Sequence, residues 1–292
     1  MGKVNVLFSV ICFFFVLFLG SCDFKKRIVN NDISFDSIEV LETYYLFNDN
    51  DKPSCNIQIS FIYPEFSGDT SLLNVAQNIF IEKMFGNSFL DLNPKQAMDE
   101  YTKQYINGFK VFESTFFPLN AFVEHGEHCD HDHEYEVYKD ESGYSYYTKL
   151  KNNLLFNQNG FISFTVESVS YEGGAHSSKC LYGYVIDLTN GTLIQEEQFA
   201  GKNYSLNVSN LLTEKIAAAK GISDPNELEN LGYNTLDITP NNNFTVDRKG
   251  ITYYFNENEI AGTMVGITPV FIPYEELKIY IKDDSPFSLI WN

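Results

Sequence analysis

The stretch Tyr171-Glu172-Gly173-Gly174-Ala175-His176 decides the fold that we expect for this chain. It lies between two runs, Phe161 to Val169 and Leu181 to Leu188, whose apolar and polar residues alternate as in half-buried strands. The two glycines permit positive φ angles that other residues rarely adopt, so the backbone is able to turn sharply and point several N–H groups at one spot. The stretch therefore predicts a tight turn between two strands, with His176 just beyond it.

Strands and helices follow in unequal blocks on both sides of this turn. Apolar residues at three-and-four spacing predict helices over residues 70–86, 94–112 and 203–220 and a last helix near 277–281, and we interpret their aromatic stripes as core. Alternating residues predict the strands 37–47, 54–63, 144–147, 154–156, 161–171, 181–188, 244–246, 251–255 and 270–272, with Pro64 to Gly68 breaking the second of them. Because the blocks do not alternate strictly, we expect an α+β fold, with antiparallel sheets packed against a few helices in two consecutive subdomains.

The beginning of the chain is typical of a bacterial lipoprotein. A short positive start is followed by the apolar run Val4 to Leu19 and by Gly20-Ser21-Cys22, which resembles a lipobox whose cysteine receives diacylglycerol. We therefore expect residues 1–21 to be a signal peptide, lipid on Cys22 to anchor the protein to a membrane, and residues 22–35 to be a polar tether. The alternative is an uncleaved transmembrane helix, which needs about 20 apolar residues, more than this run supplies.

The charge of the chain restricts its partners. Asp and Glu number 39 against 20 Lys and Arg, and the resulting net charge of −19 at pH 7 is spread along the sequence. This balance argues against nucleic-acid binding, because the neutralisation of phosphates requires basic patches. An acidic surface attracts a basic protein partner, although the same charge also keeps a lipid-tethered domain in solution without any partner.

Cysteine usage leaves the disulfide question open. Once Cys12 is removed with the signal peptide and Cys22 is assigned to lipid, Cys55, Cys129 and Cys180 remain. An odd number of cysteines in an oxidising compartment permits at most one internal disulfide, and the sequence does not say which pair forms it.

A histidine-rich loop is the candidate metal site. It interleaves acidic side chains with imidazoles and a thiol, which suit zinc, copper or nickel, at His125, His128, Cys129, His131 and His133. Two interpretations stay open: a functional site for zinc or another transition metal, and weak adventitious binding by an acidic surface loop. We favour the second, because the spacing matches no closed structural zinc site, and we expect that no cofactor is required.

Two segments of the chain resemble the DUF3298 domain. The first contains the strand Gly160-Phe161-Ile162-Ser163-Phe164, the Gly-Gly-Ala-His turn, and the strand Tyr184-Val185-Ile186-Asp187-Leu188, which ends in a Thr-x-Gly hairpin at Thr189. The second segment, residues 243–277, is similar to the C-terminal half of that family. One departure is visible, since Gln198-Phe199 stands where the family has Asp-Leu-Phe.

Upstream of these segments, the strand Ile57 to Tyr63 and the helix over residues 70–86 resemble the DUF4163 domain that commonly precedes DUF3298. The two resemblances together imply a domain organisation. We expect a DUF4163-like domain over residues 36–150, a DUF3298-like domain over residues 151–284, and a C-terminal tail over residues 285–292.

The resemblance implies a binding or sensing module of the bacterial cell envelope, in the periplasm or at the outer-membrane surface. Relatives occur beside peptidoglycan deacetylase domains and as the outer part of anti-sigma factors that sense lysozyme, so the implied ligand is a glycan or a protein such as lysozyme. This chain contains neither the Thr-Phe-Asp-Asp nor the His-x-x-x-His motif of polysaccharide deacetylases, and no Gly-x-Ser-x-Gly elbow. We therefore favour a binding protein over an enzyme. The alternative is a hydrolase of peptidoglycan or another glycan that uses His176, a nearby carboxylate and metal from the histidine-rich loop.

The Gly-Gly turn supplies the candidate ligand site. In this hypothesis a carboxylate, two glycine amides and an imidazole line the site and two tyrosines wall it, which assigns Tyr171, Glu172, Gly173, Gly174, His176 and Tyr182 to ligand binding. The alternative is that the His176 ring bonds nearby backbone and only holds the turn in shape. We favour the alternative, because a lone histidine without an identifiable acid or nucleophile partner makes no catalytic constellation.

Overall fold

The computed structural model describes residues 29–124 and 144–291 of the chain. The predicted lipid anchor at Cys22 and the predicted metal loop from His125 to His133 lie outside the described residues. Within these two ranges the strands are β1 (Ile33–Tyr45), β2 (Ser54–Ser67), β3 (Tyr146–Gln158), β4 (Phe161–Tyr171), β5 (Ser178–Asp187), β6 (Thr192–Leu193), β7 (Phe244–Val246), β8 (Gly250–Phe255) and β9 (Thr268–Pro273). The helices are α1 (Thr70–Phe85), α2 (Pro94–Glu124), α3 (Tyr204–Ala219), α4 (Tyr274–Leu277) and α5 (Ser288–Trp291).

The strands form two sheets. The larger sheet has the order β1-β2-β3-β4-β5-β6, and the smaller has the order β7-β8-β9. Neighbouring strands are antiparallel throughout, except that β2 and β3 are parallel. A parallel pair needs a long crossover connection, and here the connection contains α1 and α2. The expected α+β class is confirmed.

Strand β4 is the centre of the molecule, because its first half is buried on both faces. On one face, Ile162 and Phe164 belong to a core that contains apolar residues of α1 and α2, and the Phe164 ring stacks on Phe80 at 4.1 Å between centroids. On the other face, Phe161 belongs to a second core, shared with α3 and the smaller sheet. The expectation of a half-buried strand is therefore wrong for this half of β4, since a second layer covers the face that was predicted to be polar.

Two helices lie where the sequence predicts them, and the first begins and ends at local capping residues. The Asp69 carboxylate accepts hydrogen bonds from the N–H groups of Ser71 and Leu72 at 2.9 and 3.1 Å, which starts α1. Gly86 ends that helix with a φ of 97°. Helix α3 also lies within one residue of its predicted bounds at each end. These boundaries depend on neighbours in sequence and are therefore visible without the rest of the fold.

Several predicted boundaries are wrong. Strand β2 continues through Pro64 to Ser67. Pro64 pairs with Phe35 beside a register shift, and β2 pairs with β3 only as far as Ser60. Proline lacks a backbone N–H, but no ladder hydrogen bond requires one at this position. Strand β3 is one strand rather than two, and α2 extends to Glu124. The last helix predicted near 277–281 is wrong, since α4 ends at Leu277, where the predicted helix would begin.

One sheet joins the two halves of the chain. The domain boundary expected after residue 150 falls inside β3, which pairs with β2 on one side and with β4 on the other. Helix α2 is long, but none of the helices in the described ranges is both long and apolar enough to span a membrane.

The two sheets meet where β7 crosses β5. The N–H of Gly183 donates to Oδ1 of Asn243 at 2.7 Å, and Nδ2 of Asn243 donates to the carbonyls of Leu181 and Tyr254, at 2.9 Å each. A Cβ atom on Gly183 would lie 2.6 Å from both the carbonyl carbon and the carbonyl oxygen of Phe244. The two backbones are therefore in contact at a point where only glycine fits.

We expect the substitution Gly183→Ala to destabilise the protein by about 1–3 kcal/mol, the usual cost of overpacking a close contact. The added methyl group meets backbone atoms of Phe244, which have no rotamer to change, so the sheets must separate. Urea denaturation at fixed pH measures the free energy of unfolding.

Gly262→Ala is the matched control. Gly262 has a φ of −63°, and a Cβ added there meets nothing within 4 Å. Its substitution should change the free energy of unfolding by less than about 0.5 kcal/mol. Equal stabilities of the Gly183→Ala and Gly262→Ala variants would show that the sheet contact is not a constraint.

Candidate functional site

A cleft of about 820 Å³ opens beside the first half of α3. One wall is α3 itself, the other is the segment 235–242, and the short helical turn Glu196–Gln198 lies at its base. Its lining is mostly hydroxyl, amide and aliphatic side chains. It consists of Glu196, Glu197, Ala200, Gly201, Asn203, Tyr204, Ser205, Leu206, Ser209, Asn210, Thr213, Thr235, Leu236, Ile238, Thr239 and Asn242.

The wall formed by α3 follows from the spacing of its residues. Leu206, Ser209, Asn210 and Thr213 recur at three, four and seven residues, which places them on one face of a helix, and all four line the cleft. A second stripe, formed by Val208, Leu212 and Ile216, is buried in the core shared with the smaller sheet. The helix therefore separates a buried apolar stripe from a polar stripe that faces the cleft.

The hydroxyl groups of this wall keep hydrogen-bonding capacity for a ligand. Ser209 Oγ donates to the carbonyl of Ser205 at 2.7 Å, and Thr213 Oγ1 donates to the carbonyl of Ser209 at 2.8 Å. Each hydroxyl oxygen still has lone pairs that accept from a ligand. Asn210 is exposed on the same face, and its amide offers both a donor and an acceptor.

Two leucines stand exposed on opposite walls. Leu206 of α3 is 66% exposed, and Leu236 of the turn Thr235–Asp237 is 85% exposed. Single exposed leucines are common on protein surfaces. A pair that flanks a polar cleft instead gives a ligand two apolar contacts, one on each side.

The base of the cleft holds a connected set of ionisable groups. The hydroxyls of Tyr204 and Tyr253 are 2.7 Å apart and both side chains are buried. Tyr253 also hydrogen-bonds to the carboxyl group of Glu196. Burial raises the pKa of both tyrosines, so their hydroxyls stay protonated and serve as donors.

Burial also raises the pKa of the Glu196 carboxyl above its ordinary value of 4.5, and the charge of Glu197 adds to the effect. Hydrogen bonds from Tyr253 and from the N–H of Asn242 act in the opposite direction, and that N–H lies 2.9 Å from Oε1. The N–H of Glu196 in turn donates to Oδ1 of Asn242 at 2.8 Å. Asn242 has a φ of 57°, a left-handed conformation that asparagine tolerates better than most residues. The reciprocal bonds hold Glu196 in place.

The cleft offers a ligand mainly neutral hydrogen-bonding groups. The described residues that line it include no histidine, cysteine, lysine or arginine, so its hydroxyl groups have no basic partner other than the two glutamates. No cluster of three or more possible metal ligands occurs among the residues of 29–124 and 144–291. The arrangement provides neutral donors and acceptors, two apolar contacts and one carboxyl group that takes up a proton readily.

The predicted turn has the expected backbone but lies away from this cleft. Gly173 and Gly174 have φ angles of 88° and 101°, and the hydroxyl of Tyr171 donates to the carbonyl of Gly174 at 2.9 Å. His176 is exposed, and its ring makes no hydrogen bond to any residue that the structure describes. Tyr182 lies on β5 and is 43% exposed. None of the six predicted ligand residues lines the cleft.

Glu172 lines a different pocket, beside α2. His176 does not line that pocket, so the structure does not bring the predicted carboxylate and imidazole together there. Cys55 and Cys180 are both free thiols, which excludes a disulfide between them. Cys129 lies outside the described residues.

Sequence reasoning missed Glu196, Tyr204, Asn242 and Tyr253. Tyr204 and Tyr253 are 49 residues apart and Glu196 and Asn242 are 46 apart, so nothing local connects them. Two signals were present. One is the polar stripe of α3, and the other is the run Asn241-Asn242-Asn243, which is unusual beside a strand.

The residues of this site lie in a part of the chain that matches a known family model. Residues 193–275 match the family model described as "Protein of unknown function (DUF3298)", a range that contains all four of the missed residues. This part of the chain is therefore similar to the DUF3298 domain. None of the curated proteins compared with the chain matches it.

Two solved structures are similar to the chain over most of its length. A member of the DUF3298 family from Bacteroides fragilis is 27% identical, with a TM-score of 0.78, and the match covers 89% of this chain and 97% of that one. A DUF3298 family protein from Pseudomonas aeruginosa is 11% identical, with a TM-score of 0.57, and covers 89% and 99% respectively. The second likeness shows the fold alone.

We expect Glu196 to make the stability of the protein decrease as the pH rises above 4.5. The fold raises the pKa of this carboxyl, so the stabilisation by its bound proton is complete below the unfolded value and is lost as the pH rises through the folded value. The Glu196→Gln variant has no such proton to lose. The free energy of unfolding of the wild type minus that of the variant should therefore decrease over this range in urea denaturation.

The subtraction removes other acid-range contributions. Glu113 and Glu167, whose pKa values the fold lowers, are present in both proteins and cancel. Glu197→Gln removes an equal charge from the exposed neighbouring side chain and controls for the change in net charge. A difference between wild type and Glu196→Gln that stays constant with pH would contradict the prediction.

Proposed function

We propose that this protein is a lipid-anchored binding module of the bacterial cell envelope that holds a glycan in the cleft beside α3. The observation that carries the proposal is the composition of the cleft, in which hydroxyl and amide side chains stand between two exposed leucines. The anchor at Cys22 and the envelope location are supported by the lipoprotein pattern at the start of the sequence.

The polar groups of the cleft match the chemistry of a sugar. Sugar hydroxyls both donate and accept hydrogen bonds, and so do the side chains of Asn210, Thr213, Thr239 and Asn242 that line the two walls. A site with many such neutral groups gains specificity from their number rather than from one strong charge. The apolar contacts at Leu206 and Leu236 suit the C–H faces of a sugar ring.

The size and the charge of the cleft restrict the ligand further. Small-molecule sites commonly enclose about 300–1,000 Å³, so this cleft accommodates an oligosaccharide segment. Glu196 and Glu197 are the only charged residues in its described lining. A phosphate-bearing polymer would be repelled by these carboxylates, whereas a neutral or amine-bearing glycan would not.

One observation favours a hydrolase as the second candidate. The raised pKa of Glu196 is a property of general acids in glycoside hydrolysis, which use a pair of carboxyl groups, and Glu197 is the other acid in the described lining. Release of reducing ends from the same glycan distinguishes this candidate from binding alone.

We expect full-length protein, purified in a polyoxyethylene detergent that carries no sugar, to bind soluble peptidoglycan oligosaccharides in isothermal titration calorimetry. Leu236→Ser should weaken the affinity about tenfold, because an apolar contact is lost. Asn210→Ala should weaken it about threefold to tenfold, the equivalent of one neutral hydrogen bond.

Leu231→Ser is the matched control, since Leu231 is also an exposed leucine, at 50%, but does not line the cleft. It should leave the affinity unchanged. The proposal fails if no oligosaccharide binds, or if the Leu236→Ser and Leu231→Ser variants bind equally well. Binding of lysozyme that the cleft variants do not affect would instead indicate a protein ligand at another surface.

A further inference from the structure

We propose that the protein has a second ligand site, separate from the cleft, where an alkylammonium group binds against the aromatic side chains of α2 and β3 and beside the carboxylate of Glu172. The pocket has a volume of about 420 Å³. It is lined by Tyr105, Phe109 and Phe112 of α2, by Tyr146 at the start of β3, and by Glu172 from the Gly-Gly turn.

The sequence and the fold together build the aromatic walls. Tyr105, Phe109 and Phe112 are spaced by four and three residues, so they share one face of α2. The parallel pairing of β2 with β3 brings Tyr146 against that face. The Tyr146 ring lies 5.3 Å from the Phe109 ring and 5.3 Å from the Phe112 ring, measured between centroids, and the three rings are tilted against one another.

The helix leaves room for a ligand at this face. Gly108 lies between the aromatic residues of α2 and lines the pocket, and a Cβ atom added there would meet nothing within 4 Å. Beneath the pocket, the Tyr105 hydroxyl is buried and has no hydrogen-bond partner among the described residues. A buried hydroxyl without a partner is costly, so a ligand that reaches it would gain a hydrogen bond.

The electrostatics of the pocket select a cation. Burial raises the pKa of four groups around the pocket, which are Tyr101, Tyr105, Tyr146 and the Cys55 thiol, and it raises that of Cys55 to about 12. The negative charge of Glu172 raises the pKa of each of these groups further. Glu172 forms no ion pair with any lysine or arginine that the structure describes. The carboxylate of Glu172 is therefore left to pair with a cationic ligand, as far as the side chains of the described ranges go.

An alkylammonium group fits these features better than other ligands do. Its positive charge interacts with the faces of tyrosine and phenylalanine rings, each worth about 0.5–2 kcal/mol, and its alkyl groups fill an apolar pocket. A neutral apolar ligand would leave Glu172 uncompensated, and an anion would be repelled. A metal ion prefers several oxygen, nitrogen or sulfur ligands, and one carboxylate among rings does not supply them.

Choline and its neutral isostere 3,3-dimethylbutan-1-ol test the proposal, since the isostere replaces the ammonium nitrogen by carbon and keeps the shape. We expect full-length protein in a polyoxyethylene detergent to bind choline with a Kd on the order of 1 mM in calorimetric titration, and to bind the isostere at least about tenfold more weakly. The detergent carries no ammonium headgroup that would compete.

Variants locate the site and separate it from the cleft. Glu172→Gln should weaken choline binding about tenfold, and Tyr146→Leu should weaken it similarly, whereas Tyr146→Phe keeps the ring and should keep the affinity. Glu197→Gln and Leu236→Ser alter the cleft and should leave choline binding unchanged. Since Glu172 is exposed, its substitution should not affect folding, and an unchanged urea midpoint confirms this.

The outcomes are decisive in both directions. Choline binding that exceeds isostere binding and is lost with Glu172→Gln supports the site. Equal binding of the two probes, no choline binding, or full affinity in Glu172→Gln overturns it. None of these outcomes depends on whether the cleft binds a glycan.

Discussion

The contact between β5 and β7 is the constraint on which the rest of the structure depends. Gly183 lets the two backbones touch, and the side-chain amide of Asn243 satisfies one N–H and two carbonyls at the junction. Each of these buried groups would cost about 1–3 kcal/mol if it were left without a partner.

The junction fixes the smaller sheet on β4 and β5, where the N–H of Val246 also donates to Ser163 Oγ at 3.0 Å. The core beneath α3 closes only in this arrangement, and the wall of the cleft depends on it. The neighbouring Asn242 binds Glu196, so the segment that docks the sheets also orders the base of the cleft.

The same central hairpin separates the two candidate sites. Strand β4 ends at Tyr171, next to Glu172 and the aromatic pocket, and β5 then runs back for ten residues before the chain reaches Glu196. The cleft and the aromatic pocket share no lining residue. They differ in environment as well as in position. Glu196 is partly buried and hydrogen-bonded, with a raised pKa, whereas Glu172 is exposed and faces aromatic rings. The fold thus offers one site that is selective through neutral hydrogen bonds and another that is selective through charge.

The sequence predicts the parts of this structure that depend on near neighbours. Helix α1 is visible from the cap at Asp69 and the stop at Gly86, and the turn at Gly173 is visible from its glycines, because each signal acts within a few residues. The two-sided burial of β4 was not predictable, since it requires a layer supplied by residues some 80 positions later, as the bond between Ser163 and Val246 shows. The candidate sites were likewise predictable only where the signal is local in sequence. Glu172 was singled out, but the aromatic stripe of α2 beside it was interpreted as core, because helical spacing does not show which turn of a helix is left partly uncovered.

The strongly acidic composition does not by itself determine which ligand the protein binds. A net charge of −19 attracts cations from solution, but at physiological salt the attraction between exposed charges is largely screened beyond about 8 Å. The total charge therefore raises the rate of encounter with cations in general and does not select one cation over another.

Selection of a ligand requires groups in direct contact with it, and the two sites supply different groups. At Glu172 the rings around the carboxylate favour an organic cation over a hydrated metal ion, since only the former gives up water readily to contact an aromatic face. At the cleft, burial raises the pKa of Glu196, and the hydroxyl and amide side chains around it supply neutral donors and acceptors to a ligand.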